Sequence, residues 1–556
     1  MATIFREIER KYDAGRAAGA ALDAVKTMMA VAGVAAVSQQ DEEFLDAVYY
    51  DTEDLRLIRA GVTLRRRTGG DDAGWHLKLP VGSDTRDEIR LPLAAPAGKP
   101  SAASAAERST AEPSSAEPSS RRVAGPAGKA VGRRDASPAD AVPGELTALV
   151  RALTRDAELM PVVRMLTVRD VFWLLDGAGT VLTEISVDHV SAELTNGSTA
   201  TTWDEMEVEL RAGDRQLLQA IDARLRAAGA RHAPTGTKLE RALGDRLRAG
   251  QRSAGDAASP TASGGPARLT PRSRAGDVVL AYLRQQVRAI TRYDPLVRRD
   301  EPDAVHQMRV ATRRARSALQ AFGEIVDKTR TRPLCDELKW LATVLGEARD
   351  AEVLLARFTG DLAAIPTELV TAPVETRITG HFATVQEQAR AAATRALDGK
   401  RYLTLLNDLD VLITDPPLTP LAARKAGKAL GKPVRRAERR LRRALAVVPG
   451  AQDKDAAIHE ARKAAKRARY AAEAAMPALG RRARRQAKRT KKLQGALGEH
   501  HDSVVARTVL RGLADEARAA GEDTFTYGVM YERLACAASE IERDLALPDT
   551  PAASAG

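Results

Sequence analysis

Two patterns of apolar and polar positions divide this chain. Up to about residue 248, short runs alternate apolar with polar residues, as in strands that bury one face. Beyond residue 271, apolar residues recur every three or four positions, as in amphipathic helices. The pattern therefore predicts an α+β unit followed by an all-α unit.

The first unit contains eight runs with strand-like alternation or β-branched content, and three segments with helical spacing. Eight antiparallel strands can close into a barrel. The predicted strands are Ile4–Tyr12, Phe44–Asp51, Val62–Thr68, Gly74–Pro80, Arg86–Leu93, Pro161–Leu175, Val181–Glu193 and Thr201–Arg211. The predicted helices are Ala20–Val37, Arg215–Ala228 and Lys238–Arg248.

Segments dominated by Ala, Pro, Ser and Gly set the domain boundaries, because such composition buries too little apolar surface to fold. Residues 95–142 are predicted to be a disordered insertion inside a first domain that spans residues 1–248. Residues 249–271 are predicted to link it to a second domain at 272–545, with a flexible tail at 546–556.

Charged residues in the predicted strands fall on one face, because residues two apart in a strand point the same way. Apolar residues such as Ile8, Leu64, Ile185 and Val208 occupy the other face. If helices cover the apolar face, the charged face lines a lumen; a charged face that simply meets solvent is the alternative. The charged sets are Glu7, Glu9 and Lys11; Arg65 and Arg67; Arg86, Glu88 and Arg90; Glu184 and Asp188; and Glu205, Glu207 and Glu209.

A lumen that holds both acids and bases suits a phosphate ligand with a metal ion. Closely spaced carboxylates need a cation, and their hard oxygens suit Mg²⁺ or Mn²⁺. Lysine and arginine side chains bind phosphate oxygens.

An ordered series of motifs in this unit resembles the CYTH family, the triphosphate tunnel metalloenzymes. It begins with the Glu-x-Glu-x-Lys motif at Glu7, Glu9 and Lys11 and ends at Thr237-Lys238. Between them lie Tyr49-Tyr50-Asp51-Thr52, Leu64-Arg65-Arg66-Arg67, Trp75-His76-Leu77-Lys78, Arg86-Asp87-Glu88, Arg164 and Arg169, Glu184-Ile185-Ser186-Val187-Asp188, and Glu205-Met206-Glu207-Val208-Glu209.

This resemblance implies an eight-stranded antiparallel β-tunnel that hydrolyses inorganic triphosphate or a related triphosphate with Mg²⁺ or Mn²⁺. An adenylate cyclase is the alternative activity within the family. The implied metal ligands are Glu7, Glu9, Glu207 and Glu209, with Asp188 and Glu205 as further acidic candidates. The implied catalytic residues are Lys11, Arg65, Arg67 and Lys78, and the implied ligands of substrate phosphates are Arg86, Arg164, Arg169 and Lys238.

The second unit contains an internal repeat. The segment from His306 to Arg316 recurs from His459 to Arg469, an offset of 153 residues. The segment Leu345–Asp350 recurs as Leu497–Asp502, an offset of 152. The matched spacing predicts two related helical halves that pack together.

Each copy of the first motif forms a basic stripe on one helix face, opposite a face of small residues. Like charges three and four residues apart repel unless an anion offsets them, so a polyanion ligand is favoured over a face that is merely solvated. The net charge of the chain is +12, and its basic excess lies in this unit. Histidines that only hydrogen-bond to the backbone remain the alternative for His306 and His459.

The paired motifs resemble the CHAD domain, a pair of related helical bundles that binds inorganic polyphosphate in a basic channel. Nucleic acid is the less favoured partner, because the stripes have almost no aromatic residues to stack bases and few Asn or Gln residues to bind base edges. A non-catalytic polyphosphate-binding or nucleic-acid-binding protein is the alternative for the whole chain. The implied polyphosphate-binding residues are His306, Arg309, Arg313, Arg314, Arg316, His459, Arg462, Lys463, Lys466, Arg467 and Arg469.

The expected compartment is the cytoplasm, with association with polyphosphate granules left open. Cys335 and Cys536 offer neither a disulfide framework nor a zinc pattern. The longest apolar run, Met28–Val37, is too short to span a bilayer, so no membrane partner is expected.

Overall fold

The structure is a computed structural model that describes residues 3–13, 18–82, 85–93, 141–195, 200–233, 236–244, 246–248, 268–371 and 373–546. The predicted insertion, linker and tail lie almost wholly outside these ranges. The chain forms two compact units, Met1–Ala258 and Ser259–Gly556.

Eight long antiparallel strands close into a tunnel in the first unit, as the alternation predicted. Neighbouring strands pair in the cyclic order β1-β6-β5-β4-β3-β7-β8-β9, and β9 pairs back to β1. The short strand β2 pairs with β7, and the short strand β10 pairs with β1. The bounds are β1 Thr3–Asp13, β2 Ala36–Gln39, β3 Glu43–Asp51, β4 Thr63–Thr68, β5 Gly74–Pro80, β6 Thr85–Pro92, β7 Met160–Leu175, β8 Val181–Leu194, β9 Thr201–Leu210 and β10 Arg231–His232.

Helices cover apolar faces on the outside of the tunnel. One cluster joins α1 (Ala18–Lys26) and α4 (Arg215–Ala227) to apolar side chains of β1, β7, β8 and β9. A second joins α2 (Arg56–Arg59) and α3 (Gly144–Thr154) to those of β4, β5 and β6. Burial of these apolar side chains outside leaves the other strand face, with its charges, directed into the lumen.

Apolar side chains fill one end of the lumen. Inward residues of β3, β7, β8 and β9, including Met165 and Trp203, form a cluster with Leu239 and Leu243. Leu239 lies on α5 (Lys238–Ala242), a short helix that begins with a capping box between Thr237 and Glu240. This apolar plug confines the charged side chains to the rest of the tunnel.

The predicted helix Ala20–Val37 is wrong in its second half. Helix α1 ends at Lys26, a short 3-10 turn follows, and Gly33 adopts a left-handed conformation with φ of 91°. The next residues form β2, which pairs with β7. Sheet pairing overrides the helical spacing of the apolar residues here. Helices α2 and α3 were not predicted. Within the predicted helix Lys238–Arg248, α5 ends at Ala242, and the described residues 244 and 246–248 are again helical.

The second unit is helical in its described part. Two long helices run through it: α8, and α14, in which Gly480 has a non-helical conformation. The bounds are α6 Ala275–Arg298, α7 Ala304–Ala321, α8 Lys328–Ala363, α9 Val374–Asp398, α10 Lys400–Thr414, α11 Ala426–Ala429, α12 Gly431–Val447, α13 Lys454–Ala474, α14 Met476–Ala519 and α15 Phe525–Ala546.

The sequence repeat corresponds to a structural repeat. Helices α7 and α8 of the first copy correspond to α13 and α14 of the second, and α7 contacts α13. The small residues behind each basic stripe are buried, including Ala311, Ala315, Ala461 and Ala468. The far halves of α8 and α14 share one apolar core with α9 and α15.

Among the described helices, none combines the length and apolar character that crossing a membrane requires.

Candidate functional site

A charged cavity of about 580 Å³ occupies the open part of the tunnel. Its walls bring together residues from strands far apart in sequence. Of the predicted site residues, those lining it are Glu7, Glu9, Lys11, Arg65, Arg67, Lys78, Arg86, Arg169, Glu207, Glu209 and Lys238.

Three carboxylates stand in a row across adjacent strands of this cavity. Glu209 on β9 lies directly opposite Glu9 on β1 and directly opposite Glu184 on β8. Like charges at opposed positions destabilise a sheet. Arg211 offsets part of this repulsion, because its guanidinium lies 2.9 Å from both Glu184 and Glu209.

The pKa values of two carboxyls reflect this excess of negative charge. Burial and the charges of Glu7 and Glu184 raise the pKa of Glu209 to about 7, although Arg211 opposes the rise. Burial also raises the pKa of Glu7, although Lys78 opposes the rise. A bound divalent cation would relieve this repulsion and hold both groups ionised.

Glu7 stands two residues before Glu9 on the same face of β1, and its carboxylate lines the same cavity as the three of the row. Carboxylate oxygens of Glu7, Glu9, Glu184 and Glu209 are the hard ligands that Mg²⁺ and Mn²⁺ prefer. Glu184 was not among the predicted metal ligands, although the alternation of polar and apolar residues in β8 placed it on the same strand face as Asp188.

A second group of carboxylates surrounds a lysine. Ligand atoms of Asp188, Glu205 and Glu207 lie within 4.8 Å of one another. The ammonium of Lys238 sits among them, at 2.8 Å from Asp188, 2.8 Å from Glu205 and 2.6 Å from Glu207. Arg169 adds two hydrogen bonds to Asp188, at 2.7 and 2.8 Å. The predicted metal ligands Asp188 and Glu207 thus pair with both Lys238 and Arg169, and Glu205 pairs with Lys238. The carboxylate of Asp188 is fully buried.

Further cations line the opposite wall, each held by an acidic or phenolic partner. Lys78 donates to Glu7 at 2.8 Å, and Arg86 donates to Glu9 at 3.1 Å. Arg65 lies 3.3 Å from the hydroxyl of Tyr49. Burial alone would raise the pKa of Tyr49, but the charges of Arg65 and Lys238 outweigh it and lower the pKa.

Arg67 is the most strongly buried guanidinium of this wall. Its exposed fraction is 5%, and burial together with the charges of Arg65 and Arg169 lowers its pKa to about 9. It forms an ion pair with Asp72.

Arg164 lies outside the cavity, contrary to its predicted role. Its side chain is on the outer face of β7 and pairs with Asp46 at 2.7 Å. Register along β7 runs without a bulge between Arg164 and Arg169, so their opposite parity places them on opposite faces.

Several residues of the cavity were missed as site residues. Glu88 is fully buried and accepts from Arg90; its other oxygen lies 2.9 Å from a nitrogen of His76. Glu88 and Arg90 share the strand parity of Arg86, so the alternation contained a signal for them. His76 shares the strand parity of Lys78, and both Tyr49 and His76 lie within motifs of the family resemblance, although neither was predicted as a site residue.

Four cations from both repeats meet in the helical unit. Burial and the positive charges of Arg462, Arg313 and Arg309 together lower the pKa of Lys466 to about 7. Burial and the charges of Arg309 and Arg462 likewise lower the pKa of Arg313. Among the described residues, no carboxylate forms an ion pair with Arg313 or Lys466. We call Arg309, Arg313, Arg462 and Lys466 the central cluster.

The second repeated motif holds the central cluster in place. Asp350 pairs with Arg309 at 2.8 Å, and its counterpart Asp502 pairs with Arg462 at 3.3 Å. A Cβ at Gly346 would lie 3.0 Å from the guanidinium of Arg309. The absent side chain at Gly346 therefore makes room for that arginine.

Buried nitrogens in the stripes lack partners. The Nε atoms of Arg309, Arg313, Arg316 and Arg462 are buried without a hydrogen-bond partner in the described part of the chain. A buried donor of this kind needs a hydrogen-bond partner, which can be a water or an anion. An anion between the two stripes would satisfy them.

The other predicted polyphosphate ligands differ in their surroundings. Arg314 and Arg469 both pair with Glu473, at 3.3 and 2.7 Å, and both lie over the ring of Tyr470. Lys463 pairs with Glu460.

The histidines lie close to the cations. Burial and the charge of Arg349 lower the pKa of His306. The Nδ1 atoms of His459 and His501 are 3.2 Å apart. His501 has no histidine counterpart in the first copy, where Arg349 stands.

Comparisons with known proteins agree with the two units. The family model of the CYTH domain matches residues 6–243, and that of the CHAD domain matches residues 281–511. Uncharacterized proteins from two strains of Mycobacterium tuberculosis are 34% identical to this chain over an alignment of 555 positions, which covers 97% of this chain and 94% of theirs.

Solved structures resemble parts of the chain. PptA from Streptomyces chartreusis is 23% identical, with a TM-score of 0.43, and the match covers 49% of this chain and 98% of that one. The CHAD domain from the plant Ricinus communis is 29% identical, with a TM-score of 0.41, over 52% of this chain and 97% of that one. A Hippeastrum protein described as a putative adenylyl cyclase with a dominant triphosphatase activity is 11% identical, with a TM-score of 0.22, over 43% of this chain and 96% of that one.

Proposed function

Because the chain belongs to the CYTH family over residues 6–243 and to the CHAD family over residues 281–511, we propose that it hydrolyses triphosphates and binds polyphosphate. Hydrolysis takes place in the tunnel with a divalent metal. Inorganic polyphosphate binds to the helical unit.

The row of opposed carboxylates carries the proposal for the tunnel. Glu9, Glu184 and Glu209 of this row, together with Glu7 two residues before Glu9 on β1, would hold Mg²⁺ or Mn²⁺. When bound, the metal supplies charge neutralisation for phosphate oxygens and orients a water. A site that only bound anions would gain nothing from opposed acids in its wall.

The cations around the cavity bind and align the phosphates. Phosphoryl transfer depends on positioning and charge stabilisation more than on covalent help from the protein. Lys11, Arg65, Arg67, Lys78, Arg86, Arg169 and Lys238 line the cavity from several strands. Asp188 and Glu205 act as positioning residues, because they hold Arg169 and Lys238 against the substrate.

A substrate panel with the purified full chain tests the reaction. Inorganic triphosphate, nucleoside triphosphates and thiamine triphosphate are each incubated with Mg²⁺ or Mn²⁺, and phosphate, pyrophosphate and cyclic nucleotide are measured. Metal-dependent release of phosphate is expected, and EDTA should abolish it. Pyrophosphate released together with cyclic nucleotide would instead establish the cyclase.

Matched carboxylate substitutions test the proposed metal ligands. Glu7→Gln and Glu209→Gln each should lower kcat/KM by about 100-fold or more. Glu193→Gln is the control, because Glu193 is an exposed residue of β8 with the parity opposite to Glu184. Full activity in the Glu209→Gln protein would remove the carboxylate row from the mechanism.

The central cluster supports polyphosphate binding. Its four cations come from both repeats, and the described carboxylates leave Arg313 and Lys466 unpaired. A polyphosphate carries charge along its whole length and has no bases, so closely spaced cations without stacking side chains suit it.

Paired substitutions in the two repeats test the shared site. Two double variants are compared: Arg309→Gln with Arg313→Gln, and Arg462→Gln with Lys466→Gln. Each should weaken polyphosphate binding and reduce the slope of log affinity against log salt concentration by about 2. DNA binding that equals or exceeds polyphosphate binding at matched salt would contradict the proposal.

A further inference from the structure

An imidazole and two carboxylates meet where three helices of the second unit converge. Asp455 lies in the first turn of α13, His500 in the middle of α14, and Glu542 near the end of α15. Their ligand atoms all lie within 4.8 Å of one another. The proposed function uses none of these residues, and Glu542 lies beyond the segment that the CHAD family model matches.

The imidazole of His500 is buried and points into this group. Its side chain is 1% exposed, and its Nε2 lies 3.0 Å from Glu542 and 3.5 Å from Asp455. Among the described residues, its Nδ1 has no hydrogen-bond partner. No donor in that part of the chain therefore requires the proton to stay on Nε2. With the proton on Nδ1, the lone pair of Nε2 is free to bind a cation.

The spacing of the three groups matches the coordination sphere of a metal. Zinc binds imidazole nitrogen and carboxylate oxygen at about 2.0–2.2 Å, so two donors of a tetrahedral site lie about 3.4 Å apart. A neutral imidazole has one N–H and can donate to only one of the two carboxylates. A cation between them is shared by all three groups.

The neighbouring positive charges stay at the rim. Lys454 lies 3.5 Å from Glu542 and Arg507 lies 3.9 Å from Asp455, both farther than the roughly 2.7–2.9 Å of a charge-assisted hydrogen bond. The side chain of Lys454 is 52% exposed and can turn into solvent. Burial alone would raise the pKa of Glu542, but His500 and Lys454 outweigh it and lower the pKa, so this carboxylate is ionised at neutral pH.

The group of three lies where the end of α15 docks onto the second copy of the repeat. Leu545, three residues after Glu542, packs against an apolar cluster that includes Ile458 of α13 and Leu497 of α14. The first copy has no equivalent, because Ala348 stands in α8 at the position that corresponds to His500. An ion at this place would join three helices that few side chains otherwise connect at this end of α15.

We propose that Asp455, His500 and Glu542 bind a divalent transition-metal ion, Zn²⁺ by preference, that fastens the end of α15 to α13 and α14. The imidazole distinguishes this site from the carboxylate row of the tunnel. Nitrogen donors favour Zn²⁺, whereas donor sets made only of oxygen favour Mg²⁺ and Mn²⁺. The carboxylates of Asp455 and Glu542 are partly exposed, so water can supply the fourth ligand.

Zinc binding by the full chain and its variants tests the site. Glu542→Gln and Asp455→Asn each remove a partly exposed ligand, and His500→Gln removes the buried one. Glu540→Gln is the matched control, because Glu540 lies two residues earlier on α15 and its side chain is 72% exposed. Equilibrium dialysis against Zn²⁺ with Mg²⁺ in excess counts the bound zinc. Any zinc in the tunnel is common to all these proteins and cancels in the comparison.

The wild type and the Glu540→Gln protein should bind about one zinc ion more per chain than the Glu542→Gln and Asp455→Asn proteins. Zinc should also slow amide hydrogen exchange at the end of α15 in the first two proteins only. If His500→Gln does not fold, the two carboxylate variants decide the outcome.

Two results would overturn the proposal. Equal zinc counts in all the proteins would leave only an ion pair between His500 and Glu542. A loss of zinc in the Glu540→Gln control as large as that in the Glu542→Gln protein would show an adventitious ion only.

Discussion

At the scale of single residues, burial and neighbouring charge decide which side chains change protonation. Lys466 is the informative case, because its pKa of about 7 lies far below the ordinary value for a lysine. It is charged below pH 7 and becomes neutral above it. Polyphosphate favours the charged form, so affinity depends on the pH.

We predict that polyphosphate binding weakens as the pH rises from 6.5 to 8.5, as Lys466 loses its proton. Lys466→Arg should remove most of this dependence, because a guanidinium stays charged over the whole range. Isothermal titration at several pH values measures the polyphosphate affinity of both proteins. A wild-type profile as flat as that of the Lys466→Arg protein would contradict the assignment.

A second residue-scale prediction compares two arginines of β7. Arg169→Gln should lower triphosphatase activity by about 10- to 100-fold and destabilise the fold by about 1–3 kcal/mol, because buried Asp188 loses its bidentate partner. Arg164→Gln should leave kcat/KM within about twofold of the wild type. Steady-state kinetics and urea unfolding give the two readouts, and equal activity losses would show that Arg164 acts in the tunnel after all.

At the scale of elements, strand alternation was the most informative signal. It predicted eight strands and the inward face of nearly every charged residue, because burial of one strand face imposes a period of two. The error at Val37 came instead from the helical spacing of Ala20–Val37, because pairing of β2 with β7 decides the structure there. Side-chain partnerships such as Lys238 with Asp188, Glu205 and Glu207 could not be predicted, since they join strands and a helix distant in sequence.

The repeated glycines offer an element-scale prediction. Gly498→Ala should stabilise the protein by up to about 1 kcal/mol, because alanine favours a helix and its Cβ would lie 3.7 Å from Arg462, an ordinary contact. Gly346→Ala should gain less stability and weaken polyphosphate binding, because its Cβ would crowd Arg309 at 3.0 Å. Thermal unfolding measures the stability of the two variants, and titration measures their affinity for polyphosphate. Equal stability and affinity in both variants would show that Arg309 can shift without loss of binding.

At the scale of the whole molecule, the segment 95–142 has the clearest prediction. Leu93 and Val142 at its two ends pack against the same apolar cluster, so a short connection can join them. Replacing residues 95–140 with a short Gly/Ser loop, which keeps Val142 in place, should leave folding and hydrolysis intact. A variant that aggregates or loses activity would contradict this.

Residues 272–545 alone should also bind polyphosphate, since the described residues of this segment contain both stripes and their own apolar core. The matching measurement is titration of this segment beside the full chain. Affinities that differ by more than about tenfold would show that the first unit contributes to binding.

The internal repeat has a consequence for the direction in which a ligand lies. Related halves present Arg309 with Asp350 from one side of the central cluster and Arg462 with Asp502 from the other. A linear polyphosphate has two identical ends, whereas a nucleic acid strand has distinct 5′ and 3′ ends. A chain that enters in either orientation therefore meets a similar series of cations. Binding does not require one particular orientation of the polyphosphate, so encounters in both orientations can lead to a complex.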